Sequence, residues 1–174
     1  MPYLTKEEVQ TLHPLGGTPL SLAVYHDIQW WNQIVLPGFP NPIKLKFNDR
    51  IRNRMPANIR NGKGIYIFCI EPKHPFTPKI KHILYVGRVR AGRTGYNFFR
   101  RFNYYVNAIG NKKSKRNIMR LTNLWPDFTY VYYFDLTNLT DSRIAQIERL
   151  LYSKIVPPLN EFLEGEARAT RQFC

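Results

Sequence analysis

Three short runs of β-branched and aromatic residues limit what this chain can fold into. They cover Ile65 to Ile70 (IYIFCI), His82 to Val89 (HILYVGRV) and Phe128 to Leu136 (FTYVYYFDL). Each has the length and composition of a strand. The segments around them space their apolar residues as helices do. Residues 18–36 set Leu20, Val24, Ile28, Trp31 and Val35 on one face, with Thr18-Pro19 as a start and Pro37-Gly38 as a stop. Asn97 to Ile109 reads as a second helix closed by Gly110-Asn111, and the basic stretch 112–125 carries a short third. Thr140 or Asp141 caps a last helix that runs to Ile155 and stops at Pro157-Pro158. The order helix, strand, strand, helix, strand, helix predicts an α+β fold with a small three-stranded antiparallel sheet flanked by helices. It divides the chain into an N-terminal helical extension (1–60), a core (61–162) and a tail (163–174).

With 174 residues, 44% of them apolar, the chain can bury a core of its own. A disordered tail, a collagen-like repeat and a disulfide-stapled miniprotein are excluded. The longest apolar run is the six residues from Ile65 to Ile70, too short to span a bilayer. The opening MPYLTKEEVQTLHPLGG lacks the layout of a signal peptide, so a soluble cytoplasmic protein is expected. Cys69 and Cys174 form no CxxC pair, and His13, His26, His74 and His82 share no metal-ligand spacing.

The net charge of +14 is unevenly placed. Residues 61–120 hold fourteen Lys and Arg against Glu71 alone, whereas residues 121–174 are slightly acidic. Such a block, interleaved with aromatics, is the footprint of a polyanion, because phosphate contacts release counterions. A solubilising surface or attraction to anionic lipid is the rival reading.

Within this block, Gly64-Ile65-Tyr66 and Tyr85-Val86-Gly87 resemble the paired signature of the GIY-YIG endonucleases. Asn97, Arg101 and Tyr105 fit the family frame Asn-x-x-x-Arg-x-x-x-Tyr/His, and Arg88 occupies the basic place that follows the second motif. Glu148, twelve residues before Asn160 in IERLLYSKIVPPLNEF, matches the family's glutamate and asparagine. The resemblance covers residues 62–162. Its departures are a longer gap between the tyrosines and an extended stretch after Gly87, which leaves Arg93, Arg100 and Arg101 as rivals for the catalytic arginine.

The resemblance implies an endonuclease with Tyr66, Tyr85, Arg88, Arg101, Glu148 and Asn160 at its active site. Phosphodiester hydrolysis needs an activated water and stabilised phosphate charge. The scarcity of acids suits one Mg²⁺, or Mn²⁺ in its place, held by Glu148 with waters and substrate oxygens. Tyr66 is the expected general base, its hydroxyl made more acidic by nearby positive charge. Tyr85 positions water or phosphate, Arg101 clamps the phosphate bidentately, and Asn160 orients the site or braces a helix end. Arg90, Arg93, Asn97, Arg100, Tyr105, Lys112, Lys113, Lys115 and Arg116 are the expected nucleic-acid contacts. The layout is similar to small restriction endonucleases of this family, which read a short site through insertions and carry no separate DNA-reading module. Double-stranded DNA is then the substrate, a homodimer or higher oligomer the working form, and the 1–60 extension is expected to serve packing, dimer or DNA contacts. A structure-specific nicking nuclease, or a non-catalytic nucleic-acid-binding protein on the same fold, are the alternatives.

Overall fold

The computed structural model of this chain describes residues 40–71, 81–90, 97–111, 116–155 and 157–160. The helix expected over 18–36 with its Trp30-Trp31 pair, and the tail 163–174, lie outside the described residues. In chain order the elements are β1 (Ile43–Lys46), α1 (Ile51–Arg54), α2 (Ala57–Arg60), β2 (Gly64–Ile70), β3 (His82–Val89), α3 (Phe98–Asn107), α4 (Arg116–Asn123), β4 (Thr129–Asp135) and α5 (Asp141–Ile155).

The fold is α+β, but its antiparallel sheet has four strands, not three, in the order β1-β4-β2-β3. The added strand is β1, whose Ile43 and Lys46 pair with Tyr133 and Tyr130 of β4. Its four residues, IKLK, are too short and too basic to read as a strand from sequence alone. Lysines on a short strand suit a sheet edge, where charge discourages pairing with other chains.

Alternation along β2 builds two cores. Tyr66, Phe68 and Ile70 face one side with Phe47, Ile51, Met55 and Ile59 from the β1–α2 segment and Phe98, Phe102 and Tyr105 of α3. Ile65, Ile67 and Cys69 face the other side with Ile144, Ile147 and Leu151 of α5. Each fully buried large side chain contributes about 2 kcal/mol to folding by leaving water. The strand therefore sits buried along its whole length between two helical layers.

Helix ends follow local chemistry. The Asn97 side chain accepts from the Arg100 main-chain N–H and caps α3, which ends at Asn107, two residues earlier than its periodicity predicts. Gly110, with φ 72°, turns the chain beyond it. The Thr140 side chain accepts from the Arg143 N–H at the start of α5.

Gly64 starts β2 pressed against its neighbour: a β-carbon there would lie 2.0 Å from the Phe134 carbonyl oxygen and 2.9 Å from the Leu136 nitrogen. Both atoms are main chain and cannot rotate away. Gly64→Ala is therefore expected to destabilise the fold by about 3 kcal/mol. Urea denaturation checks this, and a midpoint equal to that of the wild type would show that β2 and β4 separate at no cost.

Candidate active site

Two sheet-level features bring the motif residues together. The first is the β2–β3 register: Phe68 pairs with Tyr85 but Cys69 with Ile83, so Leu84 is an extra residue in β3. This bulge lets Leu84 and Tyr85 both pack on the α3 side, next to the regular pairing of Phe68 with Tyr85 and Tyr66 with Gly87 that sets Tyr85 and Gly87 on the Tyr66 side. The second is the missing side chain of Gly87, directly opposite Tyr66. A β-carbon at Gly87 would lie 2.5 Å from both Cζ and the hydroxyl oxygen of Tyr66 and 2.8 Å from Cε1 of Tyr85. Only glycine allows the Tyr66 ring to lie across β3.

The Tyr66 hydroxyl sits at the centre of a buried polar group. It accepts a hydrogen bond from Nε of Arg101 at 2.9 Å and shares one with the Tyr105 hydroxyl at 2.9 Å. The Tyr85 ring stacks beside Tyr66 with 6.2 Å between centroids, and it is half-buried. Arg101 thus turns inward from α3, whereas its neighbour Arg100 is exposed. Among the described residues only Arg101 of the three rival arginines engages the tyrosines; Arg93 lies outside them.

Glu148 approaches from the other layer, on α5. Its carboxylate forms an ion pair with Arg88, Oε2 lying 2.9 Å from Nε. One residue pair along β3, Asn160 clasps Val86: its Oδ1 accepts from the Val86 N–H at 2.9 Å and its Nδ2 donates to the Val86 carbonyl at 2.8 Å. The Leu159 N–H donates to the Leu84 carbonyl at 3.0 Å in the same row. β3 is an edge strand, so Leu159 and Asn160 take the place of a further strand there. Asn160 braces β3, and Glu148 meets the tyrosine side around that edge, close enough for Arg101 to act on its charge.

Electrostatics correct one expectation. Burial raises the Tyr66 hydroxyl well above its ordinary value, helped by Tyr85, and outweighs the lowering by Arg101. Tyr66 therefore keeps its proton through the neutral range, so it is a positioning residue for Arg101 in this arrangement and not a ready base. Burial also raises Glu148, against the opposing pull of Arg88, Arg90 and Arg101. Three guanidinium groups around one carboxylate leave the locality strongly cationic, which suits an anionic ligand.

The expected nucleic-acid contacts divide. Arg90 and Arg100 are exposed. Arg116 opens α4, while Arg93, Lys112, Lys113 and Lys115 lie outside the described residues. Tyr105 is not at a surface: it is fully buried, because it shares the inward face of α3 with Phe98 and Phe102. Asn97 serves as a helix cap, and its Nδ2 donates to Oδ1 of Asn61 at 3.1 Å. Tyr105 as a partner of Tyr66 was missed from sequence, although its place four residues after Arg101 on an apolar face was the available signal. Nothing in the sequence marked Asn61.

The Glu148 shift has a testable sign. A carboxyl whose folded value is raised binds its proton more tightly when folded, so ionising it opposes folding. Glu148→Gln mimics the neutral form and is expected to unfold at a temperature no lower than the wild type at neutral pH. The gap in melting temperature should close as pH falls through the carboxylate range; a variant clearly weaker at neutral pH would show that the arginines outweigh burial. Gly87→Ala is expected to expel Tyr66 and lower stability by about 2 kcal/mol, read as a lower urea midpoint with altered tyrosine fluorescence. No protein-family model matches this chain, and neither a curated protein nor a solved structure matches it.

Proposed function

We propose that this chain is a metal-dependent DNA endonuclease of the GIY-YIG type, acting as a sequence-specific restriction or defence enzyme. What supports the reading above all is the meeting of Tyr66, Tyr85 and Arg101 with the Arg88–Glu148 pair at the edge of β3, around Gly87. These side chains come from four elements and from both faces of the sheet. A structural ion pair needs no buried tyrosine–arginine group beside it.

Each residue then has a physical task. Nε of Arg101 is fixed by the Tyr66 hydroxyl, which leaves its Nη1–Nη2 side for two oxygens of the scissile phosphate. A fixed guanidinium needs no reorganisation as charge builds on the phosphate. Tyr85, half-buried at the rim, is the phenol assigned to position the attacking water. Arg88 aims the Glu148 carboxylate through the ion pair with its side chain.

Among the described residues no group of three His, Cys, Asp or Glu side chains stands ready to hold a metal ion. Mg²⁺ does not require one, because it binds through one or two carboxylates and keeps its waters and phosphate oxygens. Glu148 offers a single hard oxygen donor that fits this demand. Bound there, the ion would supply charge neutralisation at the phosphate and leaving oxygen.

The substrate is proposed to be double-stranded DNA, cut by a homodimer in which each active site cleaves one strand. No helix among the described residues is long and apolar enough to cross a membrane.

Incubating purified protein with long unmethylated duplex DNA, with Mg²⁺ or with EDTA, tests the proposal. Discrete metal-dependent fragments are expected. Glu148→Ala should abolish them while leaving binding intact, and Arg101→Lys should slow cleavage by about a hundredfold or more. Metal-dependent nicks without defined ends would favour a structure-specific nuclease, and unchanged cleavage by Glu148→Ala would refute the metal-ligand assignment.

A further inference from the structure

A second cationic surface adjoins this site, and the sequence pattern that builds it lies in residues 47–60. Phe47, Ile51, Met55 and Ile59 recur at every fourth position, and all four are buried. This spacing pegs the segment to the core and turns Arg50, Arg54 and Arg60 outward, with Arg52 half-buried between them.

Three contacts join the segment to α3. Nη1 of Arg52 donates to Oδ1 of Asn103 at 2.9 Å. Asn61 accepts from Asn97 at 3.1 Å, and the Arg60 guanidinium lies 5.8 Å from the centroid of the Phe99 ring. α3 is also the helix that carries Arg101 inward and Arg100 outward. The arginine-bearing face of α1 and α2 therefore runs on to the helix that holds the candidate phosphate clamp.

The charge on this face is not balanced locally. Asp49 is the only acid between residues 40 and 70. Among the described residues, the ion pairs join Lys44, Lys46, Lys63, Lys81 and Arg88 to acids, and none involves Arg50, Arg52, Arg54 or Arg60. A set of like charges on one face costs self-repulsion unless an anion covers it. Every cation of the set is arginine, whose planar fork matches phosphate oxygens in pairs.

We propose that the α1–α2 face, continued by Arg100 of α3, is a docking surface for the phosphate backbone of duplex DNA beside the active site. The proposal rests on the nuclease reading and extends it to a segment that the family resemblance does not cover. Contacts of this kind position the duplex and carry no base information.

The test is the salt dependence of binding to a fluorescently labelled duplex, measured by anisotropy in EDTA so that no cleavage intervenes. Arg50→Gln with Arg54→Gln removes two exposed charges that form no ion pair among the described residues, and circular dichroism checks the fold. The slope of log Kd against log salt is expected to fall by about 2, with affinity weakened about tenfold or more. Arg143→Gln with Arg149→Gln, the same charge change on α5, is expected to keep the wild-type slope. Wild-type binding with an unchanged slope in the Arg50/Arg54 variant overturns the docking surface and leaves the nuclease reading standing. An equal loss in the α5 variant also overturns it, because net charge alone would then explain the effect. A wild-type protein that binds no duplex overturns the nuclease reading and the docking surface together.

Discussion

The candidate site depends on one close approach, that of the Tyr66 ring to the main chain of Gly87. With hydrogen as the side chain at position 87, the ring crosses β3 and its hydroxyl reaches both Arg101 and Tyr105. Any larger residue would occupy the space the hydroxyl needs. The half-buried Arg101 depends in turn on that hydroxyl, since a guanidinium partly removed from water requires an acceptor. Sheet geometry, helix placement and charge orientation thus meet at a single contact between facing strands.

The edge of β3 is the second constraint. An edge strand exposes a row of unpaired main-chain groups, and here the row is met by side chains and by the segment after α5. Asn160 copies the donor–acceptor pattern of a strand at Val86, and Glu148 lies beside the same edge in an ion pair with Arg88. One arrangement protects the edge and fixes a carboxylate beside a cluster of arginines. The burial that holds these groups also raises the proton affinity of Tyr66 and Glu148. Rigid placement and easy ionisation oppose each other here, which is why Tyr66 is better suited to holding Arg101 than to accepting a proton.

The sheet interior contrasts with its outer strands. Glu71 is bonded by Lys44 and Tyr132 and lies within ion-pair reach of Lys81, so the one acid of residues 61–120 is already occupied. Charge that remains on the α1–α2 face and around Glu148 is therefore concentrated, not dispersed, and electrostatic attraction has a defined direction.

The β2, β3 and β4 strands and the helices α3 and α5 were legible in the sequence, because each carries a strong period or composition over seven or more residues. The motif glycines, Arg101, Glu148 and Asn160 were legible through their order and spacing. Strand β1 was not, since four residues of alternating lysine and aliphatic character hold too little local signal. The direction of the Tyr66 shift was not legible either, because it depends on what packs around the hydroxyl. Local periodicity thus determined which segments become strands and helices and which chemical groups the chain carries. Only tertiary packing decided that the β2–β3 register sets Tyr85 beside Tyr66, that Asn160 serves β3, and that burial outweighs a nearby arginine. Register, burial and the distance between charges are properties of chain segments far apart in sequence, and no single segment encodes them.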